Sequence, residues 1–199
     1  LGMGRTLRRI FFRKTENQAE TIEQIVELAE VARRDGILAL ENRLEEVQHP
    51  FIRMGIRMAV DGIKAETVEE VLRTEMKAAE LRHLQGKRVF ELMGRCGPAF
   101  GMMTTLFGLI LMLGNLSNAD AIGPSMALAL VGTLYGVVAA NLIYIPLSEK
   151  LWCMHNEEML TKEIILRGVL AIQAGDSPRI VEQKLIAFLP RKFWPPDQY

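Results

Sequence analysis

Two stretches without a single charged residue decide the fold of this chain. Residues 96–119 read CGPAFGMMTTLFGLILMLGNLSNA, and residues 121–148 read AIGPSMALALVGTLYGVVAANLIYIPLS. A helix needs roughly 20 apolar residues to cross the hydrocarbon core of a bilayer, so each stretch is long enough. The competing interpretation is a pair of buried helices in a soluble bundle, but soluble helices seldom stay uncharged over such a length. We therefore predict transmembrane helices at residues 96–118 and 124–148, joined by a loop at 119–123.

The charges that flank these stretches predict their orientation. The connection between them contains Asp120 but no Lys or Arg. Basic residues lie on both outer sides: Lys87, Arg88, Arg95, Lys150 and Lys162. Because Lys and Arg concentrate in cytoplasmic segments, we expect a periplasmic loop and two cytoplasmic regions, residues 1–95 and 149–199.

The charged regions show helical periodicity and no strand-like alternation, which predicts an all-α membrane protein with a cytoplasmic helical domain. Its first helix is expected to begin at the capping box Thr15-x-x-Gln18 and to end before Gly36. Further helices are expected at 37–47, at 51–60, from the capping box Thr67-x-x-Glu70 into the first span, from 149 to about 174, and after Ser177-Pro178. Pro124 is expected as the first residue of the second span.

The segment at residues 1–14 has a distinct composition. Residues 5–14, RTLRRIFFRK, carry five basic groups and no acid, with four large apolar side chains between them. Such a segment can lie on the membrane surface, where each basic residue contributes about 1 kcal/mol with anionic lipid. A solvated basic face fits these residues equally well.

Composition excludes several classes of protein. The 199 residues carry 24 basic and 24 acidic side chains, so no global field attracts nucleic acid. Two cysteines, Cys96 and Cys153, form neither a disulfide framework nor a metal motif, and the three histidines are scattered. We find no nucleophile–base set, phosphate loop or metal cluster. We therefore expect no enzyme, no cofactor and no bound metal.

Small residues mark one face of each span. Gly97, Gly101, Thr105 and Gly108 follow helical spacing in the first span, and Gly132, Gly136 and Ala140 do so in the second. Such ridges let helix backbones approach closely and serve, by default, as packing faces. Neither span carries an ionisable Asp, Glu, Lys, Arg or His, which an ion relay normally needs at membrane depth. If this protein conducts ions, the carboxylate must come from another chain.

Three strings resemble one known family. GPAFGMMTTLFGLILML (97–113) and IGPSMALALVGTLYGVVAANLIYIPLSEKL (122–151) are similar to the third and fourth transmembrane helices of MotA-type stator subunits, within the MotA/TolQ/ExbB family. ARRDGILALE (32–41) resembles the cytoplasmic rotor-contact motif of MotA, which TolQ and ExbB do not share. ILRGVLAIQAGDSPRIVEQKLIAFLP (165–190) resembles the stretch after the fourth helix. The family's first two transmembrane helices have no counterpart in this sequence.

The resemblance implies partners as well as a fold. It implies a ring of identical subunits, taken to be five, in the bacterial inner membrane around a MotB-like partner that supplies the essential transmembrane Asp. It also implies a FliG-like rotor protein as the cytoplasmic partner, and H⁺ or Na⁺ as the transported ion. Sodium-type relatives usually carry Thr where this chain has Gly132, which favours protons but leaves the ion open.

The resemblance also assigns roles to individual residues. Arg33 and Glu41 match the charged pair that engages the rotor, although an internal salt bridge between them is a second possibility. Pro98 and Pro146 match the two prolines that couple ion flow to motion, and Thr105 and Thr133 match hydroxyls that line the ion path. Thr104 is added to the candidate ion path on its residue type alone, as a neutral polar contact.

Two functions remain after these exclusions. The first is torque generation in the flagellar motor, driven by ion flow. The alternative is a TolQ/ExbB-like proton-channel scaffold that energises an envelope-spanning partner. ARRDGILALE (32–41) favours the first, because a rotor contact needs it and an envelope energiser does not.

Overall fold

The computed structural model describes residues 17–191, and the regular secondary structure in this part of the chain consists of helices, without a strand. The predicted all-α membrane fold is confirmed, and the segment at residues 1–14 lies outside the described residues. The elements are α1 (Gln18–Asp35), a 3₁₀ helix (Ile37–Arg43), α2 (Pro50–Val60), α3 (Ala65–Gly114), α4 (Ala119–Val138), a π-helical segment (Ala139–Tyr144), α5 (Ile145–Gln173) and α6 (Pro178–Ile186). The described chain forms two compact units, which we call the core unit (17–81 and 154–191) and the hairpin unit (82–153).

The core unit surrounds the second half of α5. Most apolar side chains of this stretch are buried, which is typical of a helix packed against several others, and only one side of it carries the exposed Arg167. Two glycines allow neighbouring helices to approach α5 closely. A Cβ at Gly168 would lie 2.5 Å from Ile25 Cγ2 of α1, and a Cβ at Gly55 of α2 would lie 2.9 Å from Val169 Cγ2. The fully buried large side chains of the core unit are Ile25, Leu40, Ile52, Ile56, Val68, Leu72, Ile164, Ile165, Leu166, Val169, Val181 and Leu185.

The core unit also buries polar groups. Lys162 Nζ lies 3.3 Å from Glu158 Oε1 and 5.4 Å from the centre of the Phe51 ring, so the buried ammonium has both an anion and a π face beside it. Burial lowers the pKa of His155, against the opposing effect of Glu80 and Glu158. The uncharged form of this imidazole is therefore favoured in the folded protein.

Several helix ends differ from the sequence expectation. α1 begins with Asn17 as its N-cap, whose side chain accepts from the Ala19 N–H, rather than with Thr15, which lies outside the described residues. Thr67 was expected as a cap, but α3 already begins at Ala65. The helix expected at 37–47 is a shorter 3₁₀ helix that ends at Arg43. The predicted start of the last helix is confirmed, since α6 begins at Pro178 with Ser177 as the N-cap.

The hairpin unit pairs α3 with α4, the π-helical segment and the start of α5. The non-helical connection lies at residues 115–118, so residues 119–123, expected as a loop, are already helical. Pro124 is accordingly inside α4 and not its first residue. The physical reason is an N-cap that the sequence reading passed over: the Asn118 side chain accepts from the Asp120 N–H and starts the helix five residues earlier than expected.

Candidate functional site

The two apolar helices of the hairpin unit meet along the small-residue ridges. A Cβ at Gly136 would lie 2.5 Å from the Gly97 carbonyl oxygen, and a Cβ at Gly101 would lie 3.1 Å from Thr133 Cα. At the far end, a Cβ at Gly108 would lie 2.6 Å from Ala129 Cβ. Backbone therefore packs against backbone over three to four helical turns, and the predicted packing role of both ridges is confirmed.

Thr105 and Thr133 meet in the middle of this interface. Their hydroxyl groups are hydrogen-bonded to each other, 28 residues apart in the chain. The carbonyl oxygens of Gly101 and Ala129 lie within hydrogen-bond distance of both hydroxyls, at 3.2 Å each from Thr133 Oγ1 and at 3.2 and 3.4 Å from Thr105 Oγ1. Because each hydroxyl has one proton, one threonine donates to the other and the second donates to one of these carbonyls. The structure thus brings together two of the residues that the resemblance assigned to the ion path. Within the single chain, their hydroxyls are directed at the helix contact.

Thr104 lies beside this pair but in a different role. Its hydroxyl donates to the Phe100 carbonyl at 3.0 Å, one turn back in its own helix. Its methyl side packs against Gly132, where a Cβ would collide with Thr104 Cγ2. The missing side chain at Gly132 therefore leaves room for the Thr104 methyl group in the interface.

Pro98 and Pro146 lie towards the other end of the hairpin. Pro98 is inside α3 and has no N–H to offer the Gly94 carbonyl one turn earlier. Pro146 is the second residue of α5 and directly follows the π-helical segment Ala139–Tyr144. The first apolar helix therefore lacks one backbone donor at Pro98, and the second widens into a π-helical turn just before Pro146. Both features are usual causes of kinks.

The π-helical segment is a feature that the sequence analysis missed. π-turns are rare and frequently mark functional positions. Within it, Asn141 Nδ2 donates to the Val137 carbonyl at 2.9 Å, outside the ordinary ladder of helix hydrogen bonds. The available signal was Pro146, because a proline cannot donate to the preceding turn and leaves that turn free to widen.

Outside its small-residue interface, the hairpin unit exposes apolar surface. The side chains of Phe100, Leu106, Leu130 and Leu142 are each more than 60% exposed, and both helices are long and apolar enough to cross a membrane. Soluble monomeric proteins rarely expose an apolar surface of this size to water. The interpretation as two buried helices of a soluble bundle is therefore wrong for the described chain, and the exposed faces fit lipid or other helices.

The polar end of the hairpin unit carries an aromatic contact. Lys87 Nζ lies 4.9 Å from the centre of the Trp152 ring. A tryptophan with a nearby cation is typical of the membrane–water interface, where one side of the ring is apolar and the other is hydrated. This contact is the position at which the apolar surface gives way to charged residues.

Arg33 and Glu41 lie in the core unit and form no ion pair with each other. Arg33 is exposed in the last turn of α1, and its Nη1 donates to the Gly175 carbonyl at 3.3 Å. Glu41 is exposed in the 3₁₀ helix, and its carboxylate has no hydrogen-bonded or ionic partner among the described residues. The internal salt bridge considered in the sequence analysis is therefore not formed.

Two further cations of this surface are neutralised by neighbouring carboxylates. Arg34 donates to both carboxylate oxygens of Asp35, and this hydrogen bonding lowers the pKa of that carboxyl. Arg43 Nη1 lies 2.5 Å from Glu46 Oε2. Arg33 is therefore a cation without an ion-pair partner among the described residues, and Glu41, like the exposed Glu45, is an anion without one.

Residues 43–164 match the family model described as the MotA/TolQ/ExbB proton channel family. The chain belongs to this family. Motility protein A of Borreliella burgdorferi is 44% identical over 183 residues, which cover 92% of this chain and 70% of the relative. The C. jejuni MotAB structure has a TM-score of 0.90 at 29% identity and covers 99% of this chain and 77% of its own. The flagellar MotAB stator complex from Bacillus subtilis has a TM-score of 0.87 at 34% identity, covering 95% and 74%.

The match to the MotA/TolQ/ExbB family model includes the whole hairpin unit. The matched region contains both apolar helices with their ridges, both prolines and the three threonines. It begins after Arg33 and Glu41, so the family model covers the membrane part and not the charged pair. Among residues 17–191, no cluster of His, Cys, Asp or Glu could hold a metal ion.

The threonine pair gives a testable expectation. Thr133→Val replaces a hydroxyl by a methyl of similar size, so we expect swimming speed to fall at least two-fold while the assembled complex still purifies intact. The lost hydrogen bonds cost only about 0.5–1.5 kcal/mol each, too little to dissociate the hairpin. Thr133→Ser keeps the hydroxyl and serves as the matched control. Normal swimming of both Thr105→Val and Thr133→Val would show that these hydroxyls only pack the two helices.

Proposed function

We propose that this protein is the ion-conducting stator subunit of a bacterial flagellar motor. The observation that carries the proposal is a helix hairpin closed by backbone contacts and apolar outside, in a chain whose relatives are motility proteins. The solved neighbours are MotAB complexes, and one of them is a flagellar stator. The protein lies in a membrane and assembles with a MotB-like subunit into an oligomer.

The partner supplies the charge that the hairpin lacks. Neither apolar stretch carries an ionisable side chain, so an ion crossing here needs a carboxylate from the MotB-like chain. The Thr105–Thr133 pair is then the neutral polar group that this subunit offers to the ion or to its water. The proposed activity moves an ion and converts no substrate, so it requires neither catalytic residues nor a cofactor.

Pro98 and Pro146 are proposed to couple ion movement to motion. One elementary charge that crosses 100 mV releases about 2.3 kcal/mol, enough to drive a small step between two arrangements of packed helices. Helices interrupted by a proline or a π-turn lack part of their hydrogen-bond ladder and therefore bend at lower cost there. The hairpin carries one such point in each helix.

Arg33 and Glu41 are proposed to transmit the motion of the stator to the rotor. Arg33 and Glu41 bind a FliG-like rotor protein, which places the core unit in the cytoplasm of the cell and the hairpin in the inner membrane. Neither charge is paired with an opposite charge among the described residues, which supports this role because each remains available to a charged group of a partner. A ring of five such subunits around the MotB-like chain completes the proposal, with H⁺ or Na⁺ as the driving ion.

A motility assay tests the function. Cells whose stator genes are deleted receive the gene for this protein with that of its MotB-like partner, and we expect swimming to be restored. Replacing the partner's transmembrane Asp by Asn should abolish swimming while the complex still assembles. Ionophores that collapse the proton or the sodium gradient then identify the ion.

The alternative, an envelope energiser of the TolQ/ExbB kind, has a different outcome in the same cells. It would leave them non-motile but restore a function of the cell envelope. That result would contradict the stator assignment.

A further inference from the structure

We propose that Leu38 is the apolar anchor of the rotor contact, seated against an apolar side chain of the rotor protein between the two charges Arg33 and Glu41. This inference rests on the proposed function. Its starting point is exposure: Leu38 is 69% exposed, more than any other large apolar side chain that the structure describes in the core unit.

The geometry of the 3₁₀ helix fixes the direction of Leu38. Residues three apart eclipse each other in a 3₁₀ helix, so Ile37 and Leu40 share one face while Leu38 and Glu41 share another. Leu40 is completely buried and Ile37 packs against the core, which commits their face to the interior. The face of Leu38 and Glu41 is therefore held outwards.

Backbone hydrogen bonds also hold the start of this 3₁₀ helix in place. Gly36 ends α1 with φ = 87°, a value that favours glycine, and its N–H donates to the Ala32 carbonyl at 3.1 Å. The Ala39 N–H then donates to the Gly36 carbonyl at 3.1 Å and begins the next turn. A side chain presented from a segment anchored in this way loses little further freedom when it binds.

The charges around Leu38 indicate the chemistry of its partner. Arg34 with Asp35 and Arg43 with Glu46 are internally paired, so they contribute little net field. Arg33 and Glu41 lack such compensation and are a cation and an anion, before and after Leu38 in the chain. The matching surface is a protein face with an apolar side chain and two charges of opposite sign, an acid for Arg33 and a base for Glu41.

Other occupants fit this surface less well. An anionic lipid surface would be attracted by Arg33 but repelled by Glu41 and by the nearby exposed Glu45. Nucleic acid would meet the same repulsion. A central apolar contact ringed by charges is the arrangement in which a few protein side chains carry most of the binding energy.

The test measures binding of the purified stator complex to the purified rotor protein. We expect Leu38→Ala to weaken binding about ten-fold, equivalent to 1.4 kcal/mol, with the same salt dependence as the wild type. Leu38→Met, which keeps an apolar side chain of similar size, should bind within about two-fold of the wild type. Ile180→Ala, at an apolar position of the same unit that is 44% exposed, is the matched control and should bind normally.

The outcomes separate this inference from the proposed function. If Arg33 and Glu41 variants bind weakly but Leu38→Ala binds like the wild type, the anchor is wrong and the rotor contact stands. If the wild-type complex binds no rotor protein, the proposed rotor contact is wrong, and the proposed role of Leu38 is wrong as well. If Leu38→Ala breaks the stator complex into smaller particles, Leu38 is a contact between copies of this chain, and the inference is overturned.

Discussion

Gly136→Leu is expected to abolish both swimming and assembly of the complex. At Gly136 even a Cβ would lie 2.5 Å from the Gly97 carbonyl oxygen, 3.0 Å from Gly101 Cα and 3.2 Å from Gly101 N. These are backbone atoms of the opposite helix, which cannot rotate away as the end of a side chain can. A leucine therefore forces the helices apart, and the contacts along the whole interface are lost together.

The separation would also expose the hydroxyl pair. Thr105 and Thr133 lie in the same interface, and their mutual hydrogen bond requires the present distance between the helices. We measure the effect as the yield of intact complex after detergent extraction, by size-exclusion chromatography, and as swimming speed. The loss of complex should be at least ten-fold for leucine and several-fold for Gly136→Ala.

Gly123→Leu is the matched control. Gly123 lies in the same helix, but a Cβ there would meet nothing within 4 Å. The same side chain is therefore added to the same helix without a collision inside the hairpin. Normal yield and swimming of Gly136→Leu would show that the two helices do not pack in this way in the membrane.

Arg33→Glu is expected to reduce swimming at least ten-fold without loss of the folded complex. The guanidinium is exposed, and its hydrogen bond to the Gly175 carbonyl is a surface contact, so the melting temperature should change by no more than a few degrees. At the proposed contact with the rotor protein, however, the substitution is expected to place like charges opposite each other. Such pairs cost several kcal/mol and change the rate of encounter.

Two variants separate charge from hydrogen bonding at this position. Arg33→Lys keeps the charge and should swim nearly normally, whereas Arg33→Gln keeps a donor for the Gly175 carbonyl but loses the charge and should swim poorly. Reversal of an acidic residue on the rotor protein should restore swimming to Arg33→Glu. Restoration by Glu41→Arg within this chain, with the rotor unchanged, would instead show that the two charges act on each other.

For the membrane part of the site, the sequence predicted which segments are helices and which faces they pack on, but it predicted the helix ends less well. Charge-free runs and glycine spacing identified both helices and the faces on which they pack, because these depend on composition and on the period of a helix. Helix ends depend on single caps, and the sequence reading missed Asn118 and placed a false cap at Thr67. The π-helical segment was also missed, because Pro146 indicates only that the preceding turn is free to widen, and whether it does so depends on a balance of backbone hydrogen bonds.

The sequence by itself determined that the chain is all-helical, that two of its helices are apolar enough for a membrane, and that neither carries a charge for an ion. Only the tertiary structure decided that the hydroxyls of Thr105 and Thr133 meet, and that Arg33 reaches the Gly175 carbonyl, 142 residues away, instead of Glu41. The physical reason is range. Hydropathy and periodicity are properties of continuous segments of the chain, whereas a hydrogen bond between distant residues exists only after packing has brought their backbones together.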